Sequence, residues 1–221
     1  MWGRHYPTVC SFASYHLFSA TTSGVYYHSL SMVYTTNMIG IDEVGRGAWA
    51  GPLLVVAARQ KSELPKGLAD SKKLTKSARS NLIQDIKTSC DLGHGWAKPN
   101  EIDELGLSNA MRLAVMRALT EIRAQNDEEI IMDGNINYCN SIFTNVTCAI
   151  RADADYPIVS AASIYAKVTR DSLMAGLAKE FPNHGFDSHV GYGTAKHIQA
   201  LKDHGVTAIH RLSYRPVREF A

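Results

Sequence analysis

The stretch Ile39-Gly40-Ile41-Asp42-Glu43 is a short apolar run that ends in two adjacent carboxylates. Aspartate and glutamate are disfavoured in strands, so their position at the end of such a run indicates a role beyond folding. Paired carboxylates supply the oxygen ligands that Mg²⁺ and Mn²⁺ prefer. The pair alone is weak evidence for a metal site, because acidic residues at strand ends are usually just solvated.

A glycine-rich stretch follows the acidic pair directly. It contains Gly45-Arg46-Gly47 and, a few residues later, Gly51-Pro52. Glycine permits positive φ and lets another backbone or a ligand come very close. An arginine between two glycines suits a phosphate or a sugar, because its planar fork donates hydrogen bonds beside exposed backbone amides. The alternative interpretation is a tight turn with a solvent-facing arginine.

The chain from Met38 onward alternates between strand and helix patterns. Strands are predicted at 38–42, 53–60, 91–97, 130–133 and 145–150, and helices at 75–88, 105–124, 157–179 and 194–204. The second strand is continuously apolar, as in a buried sheet, and the segment 105–124 repeats apolar residues at helical spacing. Mixed strands and helices predict an α/β layered domain.

Asp42 and Asp133 both end apolar, strand-like runs. If these two strands are neighbours, both side chains project into one cleft at the edge of the sheet. Consecutive residues of a strand point to opposite faces, so Asp42 and Glu43 reach the same cleft only if the strand ends or bulges there. Asp153 is expected to reach the cleft from a loop before a helix. Asp155 is expected either to assist it or to cap that helix.

The formal net charge of +2 in 221 residues does not by itself indicate a nucleic-acid-binding protein. Basic residues nevertheless gather in two places, and each group is predicted to line a track of phosphates. The first group is Lys72, Lys73, Lys76 and Arg79, and the second is Lys196, Lys202, Arg211, Arg215 and Arg218. The histidines between 184 and 210 lack convincing ligand spacing, so they are interpreted as structural or phosphate-facing.

The four cysteines have neither zinc spacing nor the pattern of a secreted disulfide framework, which predicts reduced thiols in a cytoplasmic protein. No apolar stretch approaches the roughly 20 residues of a membrane-spanning helix, so no membrane association is expected. Residues 1–37 lack Asp, Glu, Lys and any periodicity. They are interpreted as a disordered extension or a misassigned start, and 38–221 as a single domain.

Several separated motifs, in one order, resemble the ribonuclease HII family from Met38 to Phe220. They are Asp42-Glu43-Val44-Gly45-Arg46-Gly47, Ala50-Gly51-Pro52, Asp70-Ser71-Lys72-Lys73-Leu74, Met132-Asp133-Gly134-Asn135, Ala152-Asp153, Ser160-Ala161-Ala162-Ser163-Ile164, Lys167-Val168-Thr169-Arg170-Asp171, Gly191-Tyr192-Gly193-Thr194 and His210-Arg211. The resemblance implies an α/β ribonuclease H-like fold, with a mixed central sheet flanked by helices and additional helices at the carboxyl end.

The same resemblance implies the activity. Members of this family hydrolyse the RNA strand of RNA/DNA hybrids and incise 5′ of ribonucleotides embedded in duplex DNA, leaving 5′-phosphate and 3′-hydroxyl ends. Two divalent ions, Mn²⁺ or Mg²⁺, are implied as cofactors. The ligands that the resemblance assigns to them, which are also the catalytic residues, are Asp42, Glu43, Asp133 and Asp153.

Substrate contacts are likewise carried over from the family. They are assigned to Gly45, Arg46, Gly47, Tyr192 and Lys72. The backbone of the Gly-Arg-Gly loop is expected to read the 2′-hydroxyl, and Tyr192 to stack on the sugar after the cut ribonucleotide. The implied partners are RNA/DNA hybrid and ribonucleotide-containing duplex DNA, with no obligatory protein partner and a monomeric chain.

Two departures from the family pattern alter substrate fit without removing a ligand. Trp49 replaces a smaller aliphatic residue, and Arg151 stands where lysine is common. A DNA-directed nuclease of the same fold, such as a Holliday-junction resolvase or an integrase, would share the acids but not the loop. A noncatalytic hybrid-binding module would need no acids. A serine enzyme using Ser163 and Lys167, one helical turn apart, would need more than that spacing.

Overall fold

A five-stranded mixed sheet forms the centre of the fold in the computed structural model, which describes residues 38–68 and 74–221. Its strands are β1 (Ile39–Val44), β2 (Leu53–Gln60), β3 (Cys90–Ala97), β4 (Ile130–Asp133) and β5 (Val146–Ala149). The spatial order is β3-β2-β1-β4-β5. The first three strands pair antiparallel, whereas β4 runs parallel to β1 and β5 parallel to β4. The carboxyl ends of β1, β4 and β5 therefore share one edge.

Helices cover both faces of the sheet and make up most of the carboxyl half. They are α1 (Lys76–Ser89), α2 (Pro99–Leu105), α3 (Leu107–Glu121), α4 (Ala152–Asp155), α5 (Pro157–Glu180), α6 (Phe186–His189), α7 (Ala195–His204) and α8 (Arg215–Arg218), with a 3₁₀ turn at Pro182–His184. None of the helices in the described part of the chain has the length and apolarity that crossing a membrane requires. The predicted α/β layered class and the carboxyl-terminal helices are confirmed.

The strands predicted from the sequence all form, with ends that differ by at most two residues. The prediction of one helix over 105–124 is wrong, because two helices meet at Gly106, whose φ of 73° lies in the left-handed region. The sequence pattern does not predict helix α2. This helix is short, begins with Pro99 at its first turn and is stabilised at its start by the Glu101 carboxylate, which accepts the Lys98 N–H.

Alternating side chains of β1 build the two halves of the core. Ile39 and Ile41 are buried beside α3, whereas Val44 packs on the side of α5. Gly40 lies directly under the first turn of α5, where a Cβ atom would collide with the backbone of Ile158. The helix therefore sits close enough to β1 to bring its side chains to the acidic end of that strand.

Residues 1–37 and 69–73 lie outside the described residues, and so do the predictions made for Asp70, Lys72 and Lys73. The described residues all fall within one compact unit. The assignment of 38–221 as a single catalytic domain stays a prediction.

An ion pair joins β2 to the segment that leads into β4. Arg59 donates to the Glu128 carboxylate through Nε at 2.7 Å and through Nη2 at 2.8 Å. Its Nη1 also donates to the Ile122 carbonyl at 2.9 Å, and Glu128 accepts the Gln125 N–H at 2.6 Å. Glu128 is buried and Arg59 is partly buried, so the pair is largely shielded from water and its members depend on each other.

We expect Glu128→Ala to lower the free energy of unfolding by about 3 kcal/mol, because it leaves the partly buried Arg59 guanidinium with only the longer carboxylate contact to Asp91 at 3.8 Å. Lys61→Ala is the matched control, since it breaks the exposed Lys61–Asp91 pair at 3.2 Å. That control should cost less than about 1 kcal/mol. Urea unfolding measures both, and equal losses would contradict the structural role of the buried pair.

Candidate active site

Acidic residues from three parallel strands meet at one edge of the sheet. β1 carries Asp42 and Glu43, β4 ends with Asp133, and Asp153 lies in α4 shortly after the end of β5. The pairing of β1 with β4 stops where Ile41 faces Met132. The two acids of β1 therefore extend past this ladder into the open edge.

The expectation that β1 ends or bulges at its acidic pair is wrong. The strand continues through Val44, and Asp42 and Glu43 pair regularly with Val56 and Val55 of β2. The carboxyl groups nevertheless interact electrostatically, because the charge of Asp133 raises the pKa of both Asp42 and Glu43. The shorter β4 ladder, and not a kink in β1, opens the edge to both side chains.

Burial dominates the electrostatics of Asp42. Its side chain is buried, and this desolvation, together with the smaller effects of the Glu43 and Asp133 charges, raises its pKa to about 7. A hydrogen bond from the Ser163 hydroxyl and the Glu43 N–H, 2.8 Å from Oδ1, act in the opposite direction. Ser163, the nucleophile of the alternative Ser-Lys hypothesis, is thus a hydrogen-bond partner of Asp42.

Glu43 is partly balanced by a neighbouring arginine. Burial raises the pKa of its carboxyl and the charge of Asp133 raises it further, whereas Arg46 lowers it. The two charged groups approach to 3.5 Å between Nη1 and Oε1. Arg46 also donates to the Tyr138 hydroxyl at 3.2 Å. The arginine of the glycine loop is therefore drawn toward the acidic edge.

Asp133 ties β4 to the segment that carries Asp153. Its Oδ1 accepts the backbone N–H of Ala152 at 2.8 Å. Asp153 is buried and belongs to α4, so the expectation of a loop position is wrong. Asp155 is exposed, and Tyr156 is the residue at the N-cap of α5, where no side-chain capping bond forms. Capping by Asp155 is therefore wrong as well.

The chemistry of the acidic edge fits a hard divalent cation. Its donors are carboxylate oxygens, and Asp42 is buried beside Glu43 and Asp133, whose negative charges contribute to its raised pKa. Within residues 38–68 and 74–221, however, no three His, Cys, Asp or Glu side chains are arranged to hold a metal ion. The acidic side chains lie at the same edge of the sheet and interact electrostatically, but they do not form a complete coordination site.

The glycine loop that follows β1 is attached to two distant segments. Gly45 and Gly51 have φ values of 86° and 81°, which favour glycine. The Trp49 N–H donates to the Gly191 carbonyl at 2.8 Å, and the Gly51 N–H donates to the Ile209 carbonyl at 2.8 Å. Both ends of the loop therefore depend on carboxyl-terminal residues for their position.

A fully buried guanidinium, that of Arg170 in α5, lies beneath the loop. Its Nε donates to the Pro52 carbonyl at 2.8 Å, and its Nη2 donates to the Ala50 carbonyl at 3.1 Å. Its Nη1 reaches the Val190 carbonyl at 2.8 Å. Val190 has a φ of 44°, an unusual value for a β-branched residue. Arg170 therefore fastens the loop to the turn before Tyr192.

Arg211 is a second fully buried arginine at the loop. It donates twice to the Gly51 carbonyl, through Nε at 3.0 Å and Nη2 at 2.9 Å. Its Nη1 donates to the Arg46 carbonyl at 2.9 Å. The prediction that Arg211 lines a phosphate track is wrong, because all these donors point into the protein. The other predicted members of that group, Lys196, Lys202, Arg215 and Arg218, are exposed.

Tyr192 reaches the start of the glycine loop from the far side. Its hydroxyl accepts the Gly45 N–H at 3.2 Å, and the Arg170 guanidinium lies 5.7 Å from its ring centroid. Gly47 is exposed, with open space where a Cβ atom would stand. Four predicted substrate contacts, Gly45, Arg46, Gly47 and Tyr192, are thereby brought together, while Lys72 lies outside the described residues.

A cavity of about 340 Å³ opens between the acidic edge and Tyr192. Its lining consists of Glu43, Val44, Arg79, Ser163, Ile164, Lys167 and Tyr192. Lys167 pairs with Asp171 at 3.0 Å, and Ser163 interacts with Asp42. This arrangement does not support a Ser-Lys catalytic pair. It supports a binding cleft whose lining combines the Glu43 carboxylate with the Arg79 and Lys167 side chains.

The chain matches the family model described as Ribonuclease HII over residues 39–217. It is 41% identical over 179 residues to Ribonuclease HII of Jannaschia sp. (strain CCS1), covering 80% of this chain and 89% of that protein. The RNase HII of the PCNA:RNase HII complex from Archaeoglobus fulgidus has a TM-score of 0.70 at 25% identity, covering 80% of this chain and 95% of that one. Bst-RNase HIII in complex with Mn²⁺ has a TM-score of 0.62 at 19% identity, covering 82% and 68%, and shares the fold.

We expect Asp42→Asn to stabilise the metal-free protein at pH 8 and to have little effect near pH 4. The pKa of Asp42 rises from 3.8 to about 7 on folding, so stability is lost as the pH increases through this window. An amide of the same shape carries no charge and escapes that loss. Thermal unfolding in chelator at both pH values measures the difference.

Asp155→Asn removes an exposed carboxylate from the same region and is the matched control. It should change the melting temperature less than Asp42→Asn does at pH 8. Stabilisation by Asp42→Asn that is independent of pH would contradict the electrostatic explanation.

Proposed function

Because the chain belongs to the ribonuclease HII family, and is therefore a ribonuclease H, we propose that it incises duplex DNA 5′ of embedded ribonucleotides and cleaves the RNA strand of RNA/DNA hybrids. The observation that supports this proposal best is the juxtaposition of Asp42, Glu43 and Asp133 with the loop that Tyr192 contacts. Acids alone would serve any nuclease, whereas a loop with exposed backbone beside them suits detection of a sugar hydroxyl.

Asp42, Glu43, Asp133 and Asp153 would hold two divalent ions, Mg²⁺ or Mn²⁺. When bound, these ions supply an activated water and stabilisation of the leaving oxygen. Asp42 has to be ionised for this role, and the Ser163 hydrogen bond supports its ionised form. Glu43 has to share its charge between the cation and Arg46. Since no three ligands are arranged as a cage in the described residues, binding should draw the carboxylates together.

Recognition of the ribose falls to the other side of the cleft. The backbone of Gly45-Arg46-Gly47 would approach the 2′-hydroxyl, which distinguishes RNA from DNA. The exposed Gly47 amide would donate to it, because the Gly45 N–H already donates to the Tyr192 hydroxyl. The ring of Tyr192 would stack on the next sugar. Arg79 and Lys167, which line the cavity, would contact phosphates, and Lys72 is proposed as a further contact.

The alternative nucleases predict different results with different substrates. A DNA-directed nuclease of the same fold would cut ribonucleotide-free DNA, and a noncatalytic module would bind hybrids without cutting them. The sequence-based expectations of a monomer and a cytoplasmic location belong to this proposal, and so does a role in the excision of ribonucleotides from DNA. The Archaeoglobus fulgidus relative is in a complex with PCNA, so the expectation of no obligatory protein partner also stays a prediction.

The direct test is a duplex with one ribonucleotide, incubated with Mg²⁺, Mn²⁺ or chelator. We expect one cut on the 5′ side of the ribonucleotide that leaves a 3′-hydroxyl end, and no cut with chelator. Asp133→Asn should reduce the rate by more than about 100-fold, which exceeds the loss expected for an outer-shell partner. Asp155→Asn should stay near the wild-type rate. Cleavage that survives chelation would reject the proposal.

Tyr192→Ala tests the recognition of the single ribonucleotide. We expect it to lower incision at an embedded ribonucleotide five- to tenfold more than cleavage of a long hybrid, roughly the value of one aromatic contact of about 1 kcal/mol. Tyr192→Phe keeps the ring and should retain most of the preference. Equal losses on both substrates would exclude a specific role for this side chain.

A further inference from the structure

Tyr192 lies in a segment whose backbone is intrinsically loose. It stands between Gly191 and Gly193 and precedes α7, so no regular element holds it. Gly191 has a φ of 87°, and Val190 before it has the unfavourable φ of 44°. A ring that reads one nucleotide needs a defined position, so contacts from elsewhere must supply it.

Two buried histidines supply a continuous set of hydrogen bonds to this segment. The Thr207 N–H donates to His210 Nδ1 at 2.8 Å, which places the His210 proton on Nε2. His210 Nε2 lies 3.0 Å from His197 Nε2 and donates to it. His197 therefore carries its proton on Nδ1, which donates to the Tyr192 carbonyl at 3.1 Å. These tautomers satisfy every contact in the series.

This relay requires both rings to be neutral, since a second proton would place one N–H against another. His197 is completely buried and His210 nearly so. Burial, together with nearby histidines, lowers the pKa of each to about 4. The His197 ring stacks on His189 at 4.4 Å, between centroids, and contacts Phe186 edge-on at 5.7 Å. The rings are thus neutral at physiological pH and immobilised by packing.

His197 also touches the glycine loop. The centroid of its ring is 5.7 Å from that of Trp49, and the Trp49 N–H donates to the Gly191 carbonyl at 2.8 Å. On the opposite side, the Tyr192 hydroxyl accepts the Gly45 N–H. The contacts therefore run from Thr207 through both histidines and Tyr192 to the first glycine of the loop.

We propose that His197 and His210 are positioning residues that hold the Tyr192 ring against Gly45, so that the single-ribonucleotide preference depends on their relay. This inference rests on the proposed function. Neither histidine touches the acidic edge in the described contacts, so their loss should affect recognition of the embedded ribonucleotide more than the chemical step.

Two substitutions of His197 separate the relay from simple packing. The side-chain amide of His197→Asn stands where Nδ1 stood and can still donate to the Tyr192 carbonyl, whereas that of His197→Gln stands near Nε2 and cannot. We expect His197→Gln to lower the ratio of single-ribonucleotide incision to long-hybrid cleavage at least about fivefold, the loss expected for Tyr192→Ala. His197→Asn should retain most of this ratio. His204→Gln changes an exposed histidine of the same helix and should leave it unaltered.

A measurement without substrate makes the inference independent of the proposed activity. The amide resonance of Gly45 in a ¹⁵N-labelled protein should shift in Tyr192→Phe, which removes the acceptor hydroxyl. His197→Gln should shift the same resonance in the same direction. The double variant His197→Gln with Tyr192→Ala should lose no more of the ratio than either single variant. If His197→Gln does not fold, His210→Asn replaces it, because Oδ1 still accepts the Thr207 N–H but the donor to His197 is lost.

Equal losses on both substrates, or an unmoved Gly45 resonance, would overturn the positioning role. Failure of the proposed function gives a different pattern. In that case the wild-type protein does not incise the single-ribonucleotide duplex, while the Gly45 resonance still decides whether the histidines hold Tyr192.

Discussion

Two buried guanidinium groups fix the conformation of the glycine loop, and the other features of the site depend on that loop. Arg170 and Arg211 are completely buried, and each is satisfied mainly by backbone carbonyls of residues 46–52 and not by carboxylates. A buried guanidinium without such acceptors would be very costly. The carbonyls of Arg46, Ala50, Gly51 and Pro52 consequently point inward, toward the two guanidinium groups. The first amide of the loop is left to the Tyr192 hydroxyl and the neighbourhood of Gly47 to solvent.

The same arrangement separates charge across the cleft. Desolvation lowers the pKa of Arg170 to about 10, yet this group stays cationic at neutral pH. At the acidic edge, desolvation and neighbouring carboxylates raise the pKa of Asp42 toward neutrality. The protein thus holds positive charge beneath the loop and excess negative charge at the sheet edge. A cation bound at the edge would offset this negative charge, and a phosphate backbone is attracted to cations such as the half-buried Arg79 and the exposed Lys196.

Much of the fold could be predicted because its signals are local. The continuous apolar run 53–60 and the helical spacing within 105–124 depend only on neighbouring residues, and the elements form as periodicity indicates. The errors have local causes as well. A single glycine at 106 divides one predicted helix, and the first turn of α2 is stabilised by a proline and a capping glutamate that periodicity does not detect. The sequence does not indicate the helical position of Asp153, because a four-residue helix has no periodic signal.

The sequence by itself determined the chemical inventory: paired acids at the end of an apolar run, the glycine-arginine loop, and enough ordered motifs to indicate the family. Tertiary structure alone decided which charges face solvent. Arg211 and Lys196 belong to the same basic gathering in the sequence, yet one is buried against Gly51, 160 residues away, and the other is exposed. It also decided that His210 and His197 form consecutive hydrogen bonds that end at the Tyr192 carbonyl. The physical reason is that burial and hydrogen-bond partners come from contacts between residues far apart along the chain, which no local pattern encodes.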